Sequence, residues 1–143
     1  LNALVRDTLR LASRDTQDGV VRLDSTLDPQ LPPFWFDYAK LRQSLLNLVL
    51  NAVHAVREGG TVQVSTIAQP DRGQLVIQDD GQGITAQELE NIFKPFYTTK
   101  NRGNGLGLSI VEQYIRAHKG TIDVDSQPGQ GTTFIITLPF DPR

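Results

Sequence analysis

Two pairs of strand-like segments, each joined by a tight turn, constrain this chain more than any other feature. Residues 61–67 and 74–79 read as strands linked across Pro70-Asp71-Arg72-Gly73. Residues 121–126 and 132–138 read as strands linked across Pro128-Gly129-Gln130-Gly131. Turns this short permit only antiparallel pairing. Helical patterns interrupt the strands. Residues 1–14 carry apolar side chains at 1, 4, 5, 9, 11 and 12, a helical spacing. Asp37 fits the N-cap of a long helix reaching Arg57, which Gly59-Gly60 ends. Thr85, with Glu88 three residues on, caps a short helix to Ile92. Residues 108–119 form another helix, with Gly120 at its end. A further strand is expected over 20–27, then a loop over 28–33. Three long helices and five strands predict an α+β fold, a two-layer sandwich with the helices on one face of a mixed five-stranded sheet.

At 143 residues and 15.8 kDa the chain suits one domain, spanning 1–143. Hydrophobic residues at 38% and charged residues at 21% place it among globular proteins. A net charge of -2 leaves no basic excess to displace counterions from nucleic acid, so no nucleic-acid partner is expected. No apolar run approaches bilayer length and no signal peptide is visible. The absence of cysteine excludes disulfides and thiolate metal sites and points to a cytoplasmic location. Methionine is absent even at position 1, so the chain is expected to be a piece of a longer protein; the domain itself is expected to be soluble and monomeric.

The segment 79–84, Asp-Asp-Gly-Gln-Gly-Ile, gathers an acid and two glycines where a strand ends. A carboxylate there can accept a hydrogen bond from an exocyclic amine, and glycine lets a flat ring approach the backbone. Read alone, the segment is also simply a good turn.

Within the long helix, Asn47, Asn51 and His54 share one narrow face by their i, i+4, i+7 spacing. That face is either the wet side of an amphipathic helix or a polar surface with a task inside a partly buried cleft. Asparagine disfavours helix, whereas Glu, Lys or Gln would serve a merely solvated face. An amide oxygen is a neutral, hard ligand that can fill one site on Mg²⁺, with water and phosphate oxygens in the others. Metal binding would then depend on nucleotide.

Residues 103–109, Gly-Asn-Gly-Leu-Gly-Leu-Ser, open the next helix, whose free N–H groups make an anion site. The segment lacks the spacing of a dinucleotide fingerprint and of a Gly-x-x-x-x-Gly-Lys-Ser/Thr loop, so an ordinary glycine-rich connection remains an alternative. The aperiodic stretch 95–107 reads as a loop of lid length. Just upstream, Phe93-Lys94-Pro95-Phe96-Tyr97-Thr98-Thr99-Lys100 pairs aromatic anchors with a cation that can reach a phosphate.

In order, these stretches resemble the ATP-binding catalytic domain of sensor histidine kinases, the Bergerat fold, over residues 1–139. Residues 47–52 look like the family's asparagine box and 79–84 like its first glycine box. Residues 93–100 resemble the phenylalanine box in its nitrogen-regulation-type form, 103–108 the second glycine box and 129–134 the closing one. The resemblance implies ATP and Mg²⁺ as ligands. It implies that Asp79 accepts the adenine amine, with Gly81, Gly83 and Ile84 lining that end and Thr132 supporting it through water. Asn51 would ligate Mg²⁺, Asn47 would help fix the phosphates, and His54 would sit near them. Lys100 and the backbone of Gly105, Leu106, Gly107 and Leu108 would hold the triphosphate tail, and Phe96 and Gly103 would also contact the nucleotide. Asn47 and Lys100 are the expected catalytic residues, and His118 is expected to be structural.

Hydrolytic relatives on this fold keep a glutamate where this chain has Asn47. An amide cannot take a proton from water, so the resemblance implies transfer to a nucleophile supplied elsewhere. That nucleophile would be a histidine on a separate dimerisation and phosphoacceptor domain, in a kinase that is a homodimer and signals to a response regulator receiver domain. The family's acceptor histidine precedes Glu or Asp, whereas His54 precedes Ala55 and His118 precedes Lys119. The alternatives are an anti-sigma-type serine kinase and a module that senses nucleotide without catalysis.

Overall fold

A computed structural model of the chain describes residues 1–13, 21–56, 59–94 and 107–141. In chain order these form α1 (Asn2–Ala12), β1 (Val21–Thr26), α2 (Tyr38–Ala55), β2 (Gly60–Ala68), β3 (Arg72–Asp79), α3 (Ala86–Leu89), α4 (Gly107–Ala117), β4 (Thr121–Gln127) and β5 (Gly131–Pro139). The strands make one sheet in the order β1-β2-β3-β5-β4. β1 runs parallel to β2, and every other neighbouring pair is antiparallel. A parallel pair needs a long crossover, and α2 lies in that connection. Both expected hairpins are present, and the mixed sheet with helices on one face is as the sequence predicts.

Alternation decides which side chains meet the helices. Val62 and Val64 of β2, Leu75 and Ile77 of β3, and Phe134, Ile136 and Leu138 of β5 are buried. Facing them, α2 buries Leu41, Leu45, Leu48, Val49, Ala52 and Val53. Each large aliphatic side chain so buried contributes about 1.5–3 kcal/mol. α1 and α4 both pack against α2, and α1 turns Leu4, Val5, Thr8 and Ala12 inward. Thr8 is tolerated there because its hydroxyl donates to the Leu4 carbonyl at 2.8 Å.

A closed polar ring pins α1 and the segment after β1 to β2. The Asp28 carboxylate accepts from the N–H groups of Ala68 and Gln30, both at 2.9 Å. Thr66 Oγ1 accepts from the Asp28 N–H at 2.9 Å and donates to Asn2 Oδ1 at 2.7 Å, and Asn2 Nδ2 returns to the Asp28 carbonyl at 2.9 Å. The Ala68 bond first, then the Gln30 bond, holds the Asp28 carboxyl below the usual carboxylate range. A depressed folded value stabilises the fold above the unfolded pKa, and that gain is lost as pH falls through the folded one. Asp28→Asn should therefore lower the melting temperature at pH 7. The gap from the unaltered chain should narrow below about pH 4, as paired thermal melts at pH 7 and pH 3 would show.

Element ends differ from expectation in instructive ways. α2 stops at Ala55, because Val56 is already extended (φ -86°, ψ 154°), and Gly60 begins β2 rather than ending the helix. β3 starts at Arg72, two residues earlier than expected, since the Gln69 N–H bonds to the Arg72 carbonyl at 2.9 Å and closes the turn there. α3 ends at Leu89, after which the Asn91 and Lys94 N–H groups make only i−3 bonds. α4 ends at Ala117, and its left-handed residue is Lys119 (φ 61°), not Gly120. Gly107, placed in a loop by its composition, is the first residue of α4.

Candidate functional site

Four pieces of chain converge beside the outer face of α2: its last turns, the loop after β3, the β4–β5 hairpin and the start of α4. Asp37 sets the register of α2 as its N-cap, accepting from the Lys40 N–H at 3.1 Å. Its own N–H donates at 2.9 Å to Nε2 of buried His118, at the end of α4. His118 Nδ1 lies 2.7 Å from the Tyr114 carbonyl. A carbonyl only accepts and an N–H only donates. The ring is therefore the neutral Nδ1–H tautomer, with both nitrogens engaged. The structural role expected of His118 is borne out, and its bond ties α4 to the helix that carries the asparagines.

Asn47 is half-buried, while Asn51 and His54 are exposed. The stripe thus becomes wetter along the helix, rather than lying wholly in a partly buried cleft. Asn47 Nδ2 faces the Gly107 carbonyl at 3.5 Å, and Asn47 Oδ1 accepts from Gln43 Nε2 at 2.9 Å. The expected phosphate contact on α2 therefore stands beside the N-terminus of an eleven-residue helix, the end whose dipole and free N–H groups favour anions.

At the other end, period-two alternation separates the two adjacent acids. Asp79 is buried at 7% exposure and pairs with Thr132 across β3 and β5. Asp80 is exposed and caps β2, accepting from the Thr61 N–H at 2.9 Å. Asp79 Oδ1 accepts from the Gly81 N–H at 2.8 Å. This bond fixes the direction of one carboxylate oxygen. The acceptor chemistry fits an adenine amine.

The glycines here have a structural reason besides ligand approach. A Cβ on Gly83 (φ +74°) would lie 2.1 Å from the Gln127 carbonyl oxygen, so the loop after β3 docks directly on the β4–β5 hairpin. The Gly129 N–H donates to the Gln82 carbonyl at 2.7 Å, and the Gln82 N–H donates to the Ala55 carbonyl at 3.2 Å, joining hairpin, loop and α2. Sequence reasoning missed Ser126. Its Oγ accepts from the Ile84 N–H at 2.7 Å and lies 3.0 Å from the Gly131 carbonyl and 2.8 Å from Thr132 Oγ1. The serine therefore holds both Ile84 and Thr132 in place. Its position opposite Thr132, at the end of a strand facing the helices, was the available signal.

Leu108 is half-buried against the core. Phe93 meets Phe134 edge-on, with centroids 6.4 Å apart, and anchors the approach to the expected loop. Phe96, Lys100, Gly103, Gly105 and Leu106 lie outside the described residues. Asn51 has the neutral oxygen that fits Mg²⁺ shared with phosphate and water. Among the described residues no group of three or more His, Cys, Asp or Glu is arranged to hold a metal by itself.

Comparison with known proteins gives a consistent picture. Residues 36–142 match the pattern of the family described as histidine kinase-, DNA gyrase B-, and HSP90-like ATPase. The sensor histidine kinase ZraS of Escherichia coli K12 is 40% identical over 141 residues, covering 99% of this chain and 30% of that protein. The signal transduction histidine-protein kinase AtoS of the same strain is 42% identical over 144 residues, covering 100% of this chain and 24% of that protein. The chain thus spans less than a third of the length of these relatives. The nucleotide-free catalytic domain of histidine kinase ThkA superposes with a TM-score of 0.89 at 30% identity, covering 99% and 93% of the two chains. Full-length ShkA in complex with AMPPNP gives 0.88 at 31% identity, covering 99% of this chain and 31% of that one.

Proposed function

This chain belongs to the histidine kinase-, DNA gyrase B-, and HSP90-like ATPase family, and from that membership we propose that it binds Mg-ATP as the catalytic domain of a sensor histidine kinase. The γ-phosphoryl group passes to a histidine on a separate helical dimerisation domain, and from there to the receiver domain of a response regulator. Residues 1–143 form one domain of a longer, homodimeric kinase and are monomeric on their own, in the cytoplasm. No helix among the described residues is long and apolar enough to cross a membrane. One solved neighbour, histidine kinase ThkA in complex with response regulator protein TrrA, is of the kind this reading implies; it superposes with a TM-score of 0.84 at 28% identity.

The observation that carries the reading is the amide at position 47, beside the start of α4. It has no basicity to activate water, so the pocket favours a nucleophile that needs no general base at this point. A neutral imidazole is one. In this reading Asp79 accepts from the adenine amine, with Gly81, Gly83, Ile84 and Thr132 shaping that end. Asn47, His54, Lys100 and the segment holding Gly103, Gly105, Leu106, Gly107 and Leu108 hold and orient the phosphates, and Phe96 contacts the nucleotide. Asn51 would supply an amide oxygen to Mg²⁺, which when bound neutralises phosphate charge. Catalysis is then positioning and electrostatics. His118 cannot be the acceptor, being 5% exposed with both ring nitrogens bonded.

Mixing the chain with a histidine-bearing helical acceptor domain, Mg²⁺ and γ-labelled ATP tests the proposal. The expected product is an acid-labile, base-stable adduct on that domain. An acid-stable adduct on serine, or brisk ATP hydrolysis without any adduct, would refute it.

A further inference from the structure

We infer that Gln43 is a positioning residue that locks the Asn47 amide with its NH₂ group toward the start of α4, so that Asn47 serves the phosphate tail as a donor. The inference rests on the ATP-binding reading above and assigns one part of its chemistry. Two groups fix the orientation: the Gly107 carbonyl sets its sense and Gln43 holds its oxygen. The Gly107 carbonyl can only accept, so the Asn47 atom 3.5 Å away is the nitrogen. Oδ1 is then the atom facing Gln43, whose nearest atom, Nε2 at 2.9 Å, is a donor. A flipped amide would set Oδ1 against the Gly107 oxygen, a like-pole contact that Gln43 cannot relieve by turning its own amide.

The consequence is a division of labour along α2. Phosphate oxygens accept hydrogen bonds and do not donate them, so only a donor-first Asn47 helps to hold them. With Oδ1 engaged by Gln43, the amide oxygen offered to a metal is that of Asn51, one helical turn on. Gln43 lies one turn before Asn47 and is itself exposed. It extends the polar stripe to i−4, and its helix-compatible side chain bonds to the neighbouring turn.

Calorimetric binding of ATP and of adenosine to the unaltered chain, Gln43→Met, Asn47→Ala and the double variant tests the assignment. Methionine removes the donor while keeping length, helix propensity and neutrality. Gln43→Met should weaken ATP about fivefold, the worth of one modest hydrogen bond, and leave adenosine unchanged. In the Asn47→Ala background the same substitution should change ATP affinity less than about twofold, because Gln43 acts only through Asn47. Equal weakening of ATP and adenosine, an undiminished effect without Asn47, or no effect on ATP would each overturn the assignment. Absence of ATP binding by the unaltered chain would overturn the nucleotide reading as well, whereas normal binding with an inert Gln43→Met removes this inference alone.

Discussion

Asp79→Asn should weaken ATP binding about a hundredfold, leave the melting temperature almost unchanged and erase the preference for ATP over GTP. The deciding contact is the 2.8 Å bond from the Gly81 N–H to Asp79 Oδ1. An asparagine can keep that bond only by turning its carbonyl oxygen toward Gly81. Its NH₂ then occupies the direction from which the carboxylate would accept the adenine amine, and two donors face each other. Losing a charged hydrogen bond accounts for about 1.5–3 kcal/mol, and a hundredfold corresponds to about 2.8 kcal/mol. Guanine carries an oxygen where adenine carries its amine, so the same NH₂ suits GTP. Titration of both nucleotides into both proteins decides the matter. Retained discrimination against GTP would remove Asp79 from purine recognition. A collapsed melting temperature would instead make its role one of folding.

Asp79 also shows how far residue order alone carries the reading. The run Asp79-Asp80 offers two acids, and strand alternation places the first on the helix-covered face, where it is buried beside Thr132. The fold was legible for the same kind of reason: turn chemistry imposed the hairpins, and apolar spacing marked the faces of α1, α2 and α4. Long-range partners were not legible. Nothing local in Asn2, Asp28 or Thr66 announces that they close one ring, because the bonds join positions as many as 64 residues apart. Ser126 was missed likewise, since its role depends on Ile84, 42 residues away. The ends of α2 and α4 shifted because a glycine pair and a single Gly120 were read as local stops. The breaks fall instead at Val56, already extended, and at left-handed Lys119, after which the Gly120 N–H closes back on the Ile115 carbonyl at 3.0 Å.

The β4–β5 hairpin permits a sharper experiment, because two of its glycines have positive φ in opposite surroundings. Gly129 (φ +80°) has nothing within 4 Å of where a Cβ would stand, whereas on Gly131 (φ +104°) that atom would lie 2.0 Å from the Asp79 carbonyl oxygen. Alanine at 129 meets only the left-handed penalty of about 1–2 kcal/mol. Alanine at 131 adds an overlap with backbone that can be relieved only by parting β5 from β3, and the total should exceed about 3 kcal/mol. At about 2–4 °C per kcal/mol for a chain of this size, Gly131→Ala should melt roughly 10 °C lower and Gly129→Ala roughly 3 °C lower. The two should also part in function. The oxygen pushed aside by alanine at 131 belongs to the residue proposed to read the purine, and Thr132 moves with the displaced strand. Gly131→Ala should therefore lose ATP affinity at temperatures where it is still folded, while Gly129→Ala keeps it. Equal melting temperatures would mean that the hairpin yields without strain, and equal affinities would separate the Gly131 contact from the pocket it adjoins.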